Sequence, residues 1–140
     1  MKTKTLDENK NIAINYAHRI WNEKDLSAID EVLDEKIVIH SLLGDFHGPE
    51  SMKKVVQSWL TAFPDLTVEN TAVIGEQDII VLHWHAQGTH IGEFKGIQPT
   101  GNAVFYSGVT IYRISENKIV EYWAYLDMQH LFKQINEGSK

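Results

Sequence analysis

The sharpest spacing of reactive side chains in this sequence of 140 residues is His83-Trp84-His85. On a β-strand, residues two apart share a face and stand ~6.6 Å apart, so two imidazoles placed this way could reach one metal ion. A zinc-type site needs a third protein ligand, for which His90 and His40 are the candidates, and no carboxylate stands at strand spacing beside the pair. The neighbouring residues argue against a site. Ile80, Leu82, Trp84 and Ala86 form the apolar alternate set, which puts His83, His85 and Gln87 on the opposite, outward face. The expectation is that no metal is bound.

Asp127 is the second candidate. It follows the apolar run Ile119–Leu126 and precedes an amphipathic segment. If the strand continues that far, Trp123, Tyr125 and Asp127 point to one face. A carboxylate among aromatic rings has its charged form disfavoured, so its pKa rises and it becomes a better proton-transfer group near neutrality. Asp is equally a preferred helix N-cap, and Met128 begins a helical pattern, so both readings stand on pattern alone. Glu121 shares the parity of Asp127 but lies six residues back, ~20 Å along a strand, too far for a glycosidase-type pair. No P-loop, dinucleotide-binding glycine motif or G-x-S-x-G elbow is present. With no cysteine at all, disulfides, thiolate zinc sites, Fe–S clusters and Cys nucleophiles are excluded together.

Residues of this kind act only where secondary structure aims them. From Ile12 to Val32 apolar residues recur every three to four positions, broken at Asn22-Glu23-Lys24-Asp25, which predicts a long first helix and a short second one capped near Asp25. Ile37–His40 reads as a short strand, and Gly44-Asp45 and Gly48-Pro49 as turns. A third helix is expected from about Pro49 to Ala62, with proline in its first turn. Thr67–Ile74, Asp78–Gln87, Ala103–Ile114 and Lys118–Leu126 are rich in Val, Ile, Thr and aromatics and are separated by turn residues, as in a meander of long antiparallel strands. Met128–Ile135 closes the chain as a helix. Helices first and a strong sheet afterwards indicate an α+β fold, and long antiparallel strands curl, so helices on the concave face leave a cone with a hydrophobic pocket.

Composition narrows the partners. Hydrophobic residues make up 43% and charged residues 23%, as in ordinary soluble proteins, and 13 basic against 19 acidic residues give a net charge of −6. Such a surface repels phosphate backbones and anionic lipid, so no nucleic-acid or membrane partner is expected. The length fits one domain over 1–140, with residues 1–10 as a flexible N-terminus and a cytoplasmic location as the default.

Four blocks carry a resemblance: Gly88–Gly101, Ala62-Phe63-Pro64-Asp65-Leu66, Ile111-Tyr112-Arg113-Ile114, and Lys118-Ile119-Val120-Glu121 followed by Trp123 and Asp127. Together they resemble the SnoaL-like polyketide (ester) cyclases of the nuclear-transport-factor-2-like superfamily, over about residues 11 to 135. The resemblance implies a cone of curved antiparallel sheet with helices over its mouth. It also implies an aspartate at the position of Asp127 as general acid/base in an intramolecular, aldol-like closure, without metal or organic cofactor. Tyr16, Trp59, Phe63, Trp84, Tyr112 and Trp123 then suit a flat, apolar or aromatic carbonyl compound. His40 stands where an asparagine lines the cyclase pocket, and Gly108 and Thr110 stand where an amide and a histidine are usual, so Thr110 is a candidate binding residue but no substitute for an imidazole. Glu116-Asn117 replaces the usual Asp-Gly hairpin. A homodimer through the outer face of the sheet is the family expectation. The function expected is cyclase- or isomerase-type small-molecule chemistry, the alternative being a non-catalytic small-molecule binding protein of the same fold.

Overall fold

The computed structural model describes residues 2–41 and 44–137. Helix α1 (Lys2–Trp21) buries Ala13, Tyr16, Ala17 and Ile20, the stripe that its periodicity predicts. It starts earlier than expected: most of the stretch assigned to a flexible N-terminus is helical, with Leu6 packed against the core and Asn9 buried. Where α1 ends, the Asn22 carboxamide accepts Val68 N–H at 2.8 Å and donates to Val68 O at 2.9 Å. That fork fastens the helix end to the sheet. Asn22→Ala is expected to cost about 2 kcal/mol, read as a lower denaturant midpoint at unchanged slope.

Helix α2 (Ser27–Val32) follows, with Asp25 accepting the Ser27 N–H at 3.1 Å. Strand β1 (Leu33–Ser41) is longer than the four residues expected, and β2 (Gly44–His47) forms where the sequence showed only turns. A strand of four residues is too short to display a period of its own. Then come α3 (Pro49–Ala62), β3 (Thr67–Glu76), β4 (Ile79–Thr89), β5 (Ala103–Ser115), β6 (Lys118–Leu126) and α4 (Met128–Glu137). The β5–β6 hairpin turns through Glu116 at φ +50° and Asn117 at φ +66°, so the two-residue turn keeps positive φ without glycine.

The six strands form one curved sheet, ordered β2-β1-β6-β5-β4-β3 and not closed into a barrel. All neighbours are antiparallel except β1 and β6, which run parallel. Alternation is clearest on β5, where Val104, Tyr106, Thr110, Tyr112 and Ile114 are buried. Helix α1 packs on β3 and β4, α3 on β1 and β2, and α4 on β5. Two apolar clusters result. One gathers Tyr16, Ile20, Ile39, Met52, Ile80 and Tyr112, and the other Phe63, Leu66, Phe94, Tyr106, Leu131 and Ile135. Trp21, Leu60 and Trp84 touch both. Among the described residues no helix is long and apolar enough to cross a membrane.

Candidate functional site

Between the two clusters the concave face carries a chamber of about 80 Å³. The strand registers stack its sheet wall in rows. Ile80, Tyr112 and Tyr122 lie side by side, then Leu82, Thr110 and Ala124, then Asn70, Trp84, Gly108 and Leu126, then Val68, Ala86 and Tyr106. Ala17 and Trp21 of α1 and Val55 and Trp59 of α3 face them across the gap. Lys95, an exposed residue of the β4–β5 loop, reaches the lining and marks its open side.

The wall is aromatic and mostly neutral. Burial pushes the phenols of Tyr106, Tyr112 and Tyr122 well up, so all three remain protonated hydroxyls at neutral pH. Desolvation lowers the Lys95 ammonium, which stands 5.2 Å from the centre of the Phe94 ring. Trp84 Nε1–H donates to Thr110 Oγ1 at 2.8 Å. Asn70 Oδ1 is buried with no hydrogen-bond partner. Among the described residues, the lining holds neither a carboxylate nor an imidazole.

Of the residues that the sequence singled out, Trp59, Trp84, Thr110 and Tyr112 come together on this wall. Phe63 stands one layer behind, its ring centre 6.1 Å from Trp59. Tyr16 lies beneath Tyr112, edge to face at 6.1 Å, with its hydroxyl unpartnered. Asp127, Trp123 and His40 are not brought to the chamber, and the expected placement is corrected for all three. Trp123, Tyr125 and Asp127 do share a parity, but it is that of the outer face: Tyr122, Ala124 and Leu126 are the β6 residues at the lining. Asp127 is exposed, and its carboxylate accepts the His130 N–H at 2.9 Å, capping α4.

On the outer face His40 is held from both sides. Its Nδ1 lies 3.0 Å from Asp45 and its Nε2 2.8 Å from Glu121, and the ring stacks on Trp123 at 5.2 Å. Arg113 bonds Glu121 and Asp78 and lies 5.9 Å from the centre of the Trp123 ring. With a carboxylate at each nitrogen, both must donate, so the imidazolium is favoured. The Glu121 hydrogen bond, with help from Asp45, raises the His40 pKa above 6.5 against the opposing desolvation. A raised folded-state value stabilises fully below pH ~6.5 and is lost as pH rises through that value. Wild type is therefore expected to lose stability across that window, and His40→Gln to lose less. Proton NMR titration finding His40 at or below 6.5 would contradict this.

His83 and His85 face outward as expected, beside Thr71 Oγ1 at 2.6 Å and Glu69 Oε1 at 3.5 Å. His90 is fully buried in the β4–β5 loop, where its Nδ1 meets Thr100 Oγ1 at 3.0 Å. Among the described residues no three His, Asp or Glu side chains gather as a metal site. Among the wall residues that the sequence did not single out are Trp21, Asn70, Lys95, Tyr106 and Tyr122. Tyr106 was within reach, since it shares the alternate set of Thr110 and Tyr112. Lys95 sits in a loop, which has no period to read.

The family model for SnoaL-like polyketide cyclases matches residues 11–135. Among solved structures the chain is similar to AclR, a proposed hydroxylase from Streptomyces galilaeus, at 31% identity and a TM-score of 0.84, covering 96% of this chain and 85% of that one. It is also similar to IdmH, a proposed polyketide cyclase from Streptomyces antibioticus, at 26% identity and a TM-score of 0.78, covering 91% and 98%. An LEH-like epoxide hydrolase from M. tuberculosis shares the fold at 12% identity and a TM-score of 0.74, covering 96% and 93%. No curated protein sequence matches the chain.

Proposed function

The chain belongs to the SnoaL-like polyketide cyclase family, and from that premise we propose that its chamber holds a small, flat, apolar carbonyl compound on which it performs cyclase- or isomerase-type chemistry. The observation that carries this is the wall itself: aromatic rings from α1, α3, β4 and β5 around a few convergent polar groups, Asn70, Thr110 and Lys95. A carbonyl oxygen beside a tyrosine hydroxyl is polarised. The Lys95 amine, its pKa lowered by desolvation, takes the proton from the adjacent carbon and returns one to the new alkoxide. A chain folded between facing walls gains proximity for the internal closure. This chemistry requires no metal or organic cofactor. Trp123, Tyr125 and Phe105 on the outer face, the last two about half exposed, support a homodimer through that face.

Non-catalytic binding is the second reading, favoured by a lining without carboxylate or imidazole. Asp127 divides the two. Its chain neighbours Leu126 and Met128 both line the chamber, so its acid/base role is a proposal that requires it to leave the cap. The geometry favours the cap. Asp127→Asn is expected to keep the melting temperature, ligand affinity and any turnover, and Asp127→Ala to cost ~1 kcal/mol of stability. Turnover lost in Asp127→Asn with affinity intact would make this carboxylate the acid/base. Titration with flat carbonyl compounds, followed by product analysis, tests the main proposal: binding with conversion supports it, binding alone supports the second reading, and no binding removes both.

A further inference from the structure

We propose that Trp84 sets the size of ligand the chamber accepts, restricting it to a single flat ring, and that the Asn70 carboxamide beside it anchors a hydroxyl on that ring. The proposal rests on the chamber being the ligand site, as argued above. Two contacts fix the indole. Its N–H donates to Thr110 Oγ1 at 2.8 Å, and its six-membered ring lies against Gly108, its cross-strand neighbour. A Cβ at position 108 would stand 2.5 Å from Trp84 Cζ2, 2.7 Å from Cη2 and 2.6 Å from the Tyr125 carbonyl oxygen. The indole thus occupies the room that any side chain at 108 would need. It cannot swing away without stranding its N–H, a loss that disfavours the open rotamer. What remains is about 80 Å³, against the ~150 Å³ of an engineered cavity that takes up benzene. One ring, part of it toward the open side at Lys95, is what fits.

Asn70 supplies the polar end. It faces Trp84 across the β3–β4 ladder, next to the irregularity between Asn70 and Ala72. Its Oδ1 is buried without a donor, a state that folded proteins rarely leave unrelieved. A ligand O–H relieves it. The ligand class is therefore a carbonyl compound that carries one hydroxylated aryl ring, with that ring among the aromatic side chains and its carbonyl-bearing chain toward Lys95.

Calorimetric titration of the full chain with para-hydroxybenzaldehyde, a hydroxynaphthaldehyde and a hydroxyanthraquinone tests this. Wild type is expected to bind the one-ring probe best and to lose about tenfold or more for each added ring. Trp84→Leu is expected to reverse the order of the one-ring and three-ring probes. Thr110→Val, which frees the indole at nearly constant volume, should flatten the order, and it carries the test if circular dichroism shows Trp84→Leu unfolded. Asn70→Leu should abolish a preference of about tenfold for para-hydroxybenzaldehyde over para-methoxybenzaldehyde. An unchanged ring order in the folded Trp84 and Thr110 variants, with binding retained, overturns the role of Trp84 and leaves the chamber as the ligand site. An Asn70→Leu variant that keeps the hydroxyl preference overturns the anchor. Failure of every probe to bind wild type and variants alike overturns the chamber reading as well.

Discussion

Gly92→Ala is expected to lower the melting temperature by about 10 °C. A Cβ at this position would lie 2.1 Å from the Thr61 carbonyl oxygen and 2.8 Å from its carbon. Both are backbone atoms at the end of α3, with no rotamer into which they can retreat. The contact is close because Ile91 and Gly92 both donate backbone N–H groups to Ala62 O, at 2.9 and 3.1 Å. The β4–β5 loop thus hangs from the last turn of α3. An inserted methyl group breaks that suspension, and overpacking of this severity costs roughly 3 kcal/mol, which at this chain length corresponds to the shift stated. The loop also carries Phe94, whose ring centre lies 4.9 Å from that of Trp59, so ligand affinity should fall as well. Scanning calorimetry with a wild-type transition in Gly92→Ala would show that the loop is not suspended this way.

Trp59→Ala is expected to weaken ligand binding about a hundredfold and to destabilise the fold by roughly 3 kcal/mol. Trp59 is half-buried and lines the chamber from α3, with ring centres at 4.9 Å from Phe94, 5.7 Å from Tyr106 and 6.1 Å from Phe63. Removing it opens the chamber on its helical side and leaves three rings without their common neighbour. Trp59→Phe keeps a flat face and should recover most of both losses. If calorimetry finds wild-type affinity in a folded Trp59→Ala variant, α3 does not form the ligand's wall.

The four long strands were legible from their Val, Ile, Thr and aromatic content and the turn residues between them, and the outward pair His83 and His85 because Ile80, Leu82, Trp84 and Ala86 make the alternate set on β4 apolar. Tyr112 and Thr110 came from the family resemblance, and the alternation along β5 puts both on its buried face. On β6 the signal fails. Tyr122, Ala124 and Leu126 face the chamber while Trp123 and Tyr125 face outward, so both faces carry aromatic carbon and hydrophobicity does not say which is concave. Asp127 followed the aromatics to the wrong side. Any β6 side chain aimed into the chamber must stand at 122, 124 or 126, and tyrosine, alanine and leucine occupy those places. His40 was hidden differently. Its partners Asp45 and Glu121 come from β2, too short to announce itself, and from β6 through a parallel pairing that no local pattern encodes.

An unclosed sheet has a second consequence, for how this protein behaves in a crowd of its own copies. Strand β3 ends the sheet, and its free side would offer backbone donors and acceptors on which another chain could build. The same asparagine that fastens α1 blunts this edge, because the Val68 N–H and carbonyl it engages are lost to any incoming strand. Farther along, the irregularity between Asn70 and Ala72 interrupts the ladder, and exposed Glu69 and Glu76 put like charges on both sides of the break. Asn22→Ala therefore removes a guard as well as a clasp. Its solutions should cloud at concentrations and temperatures at which the folded fraction alone would predict clarity.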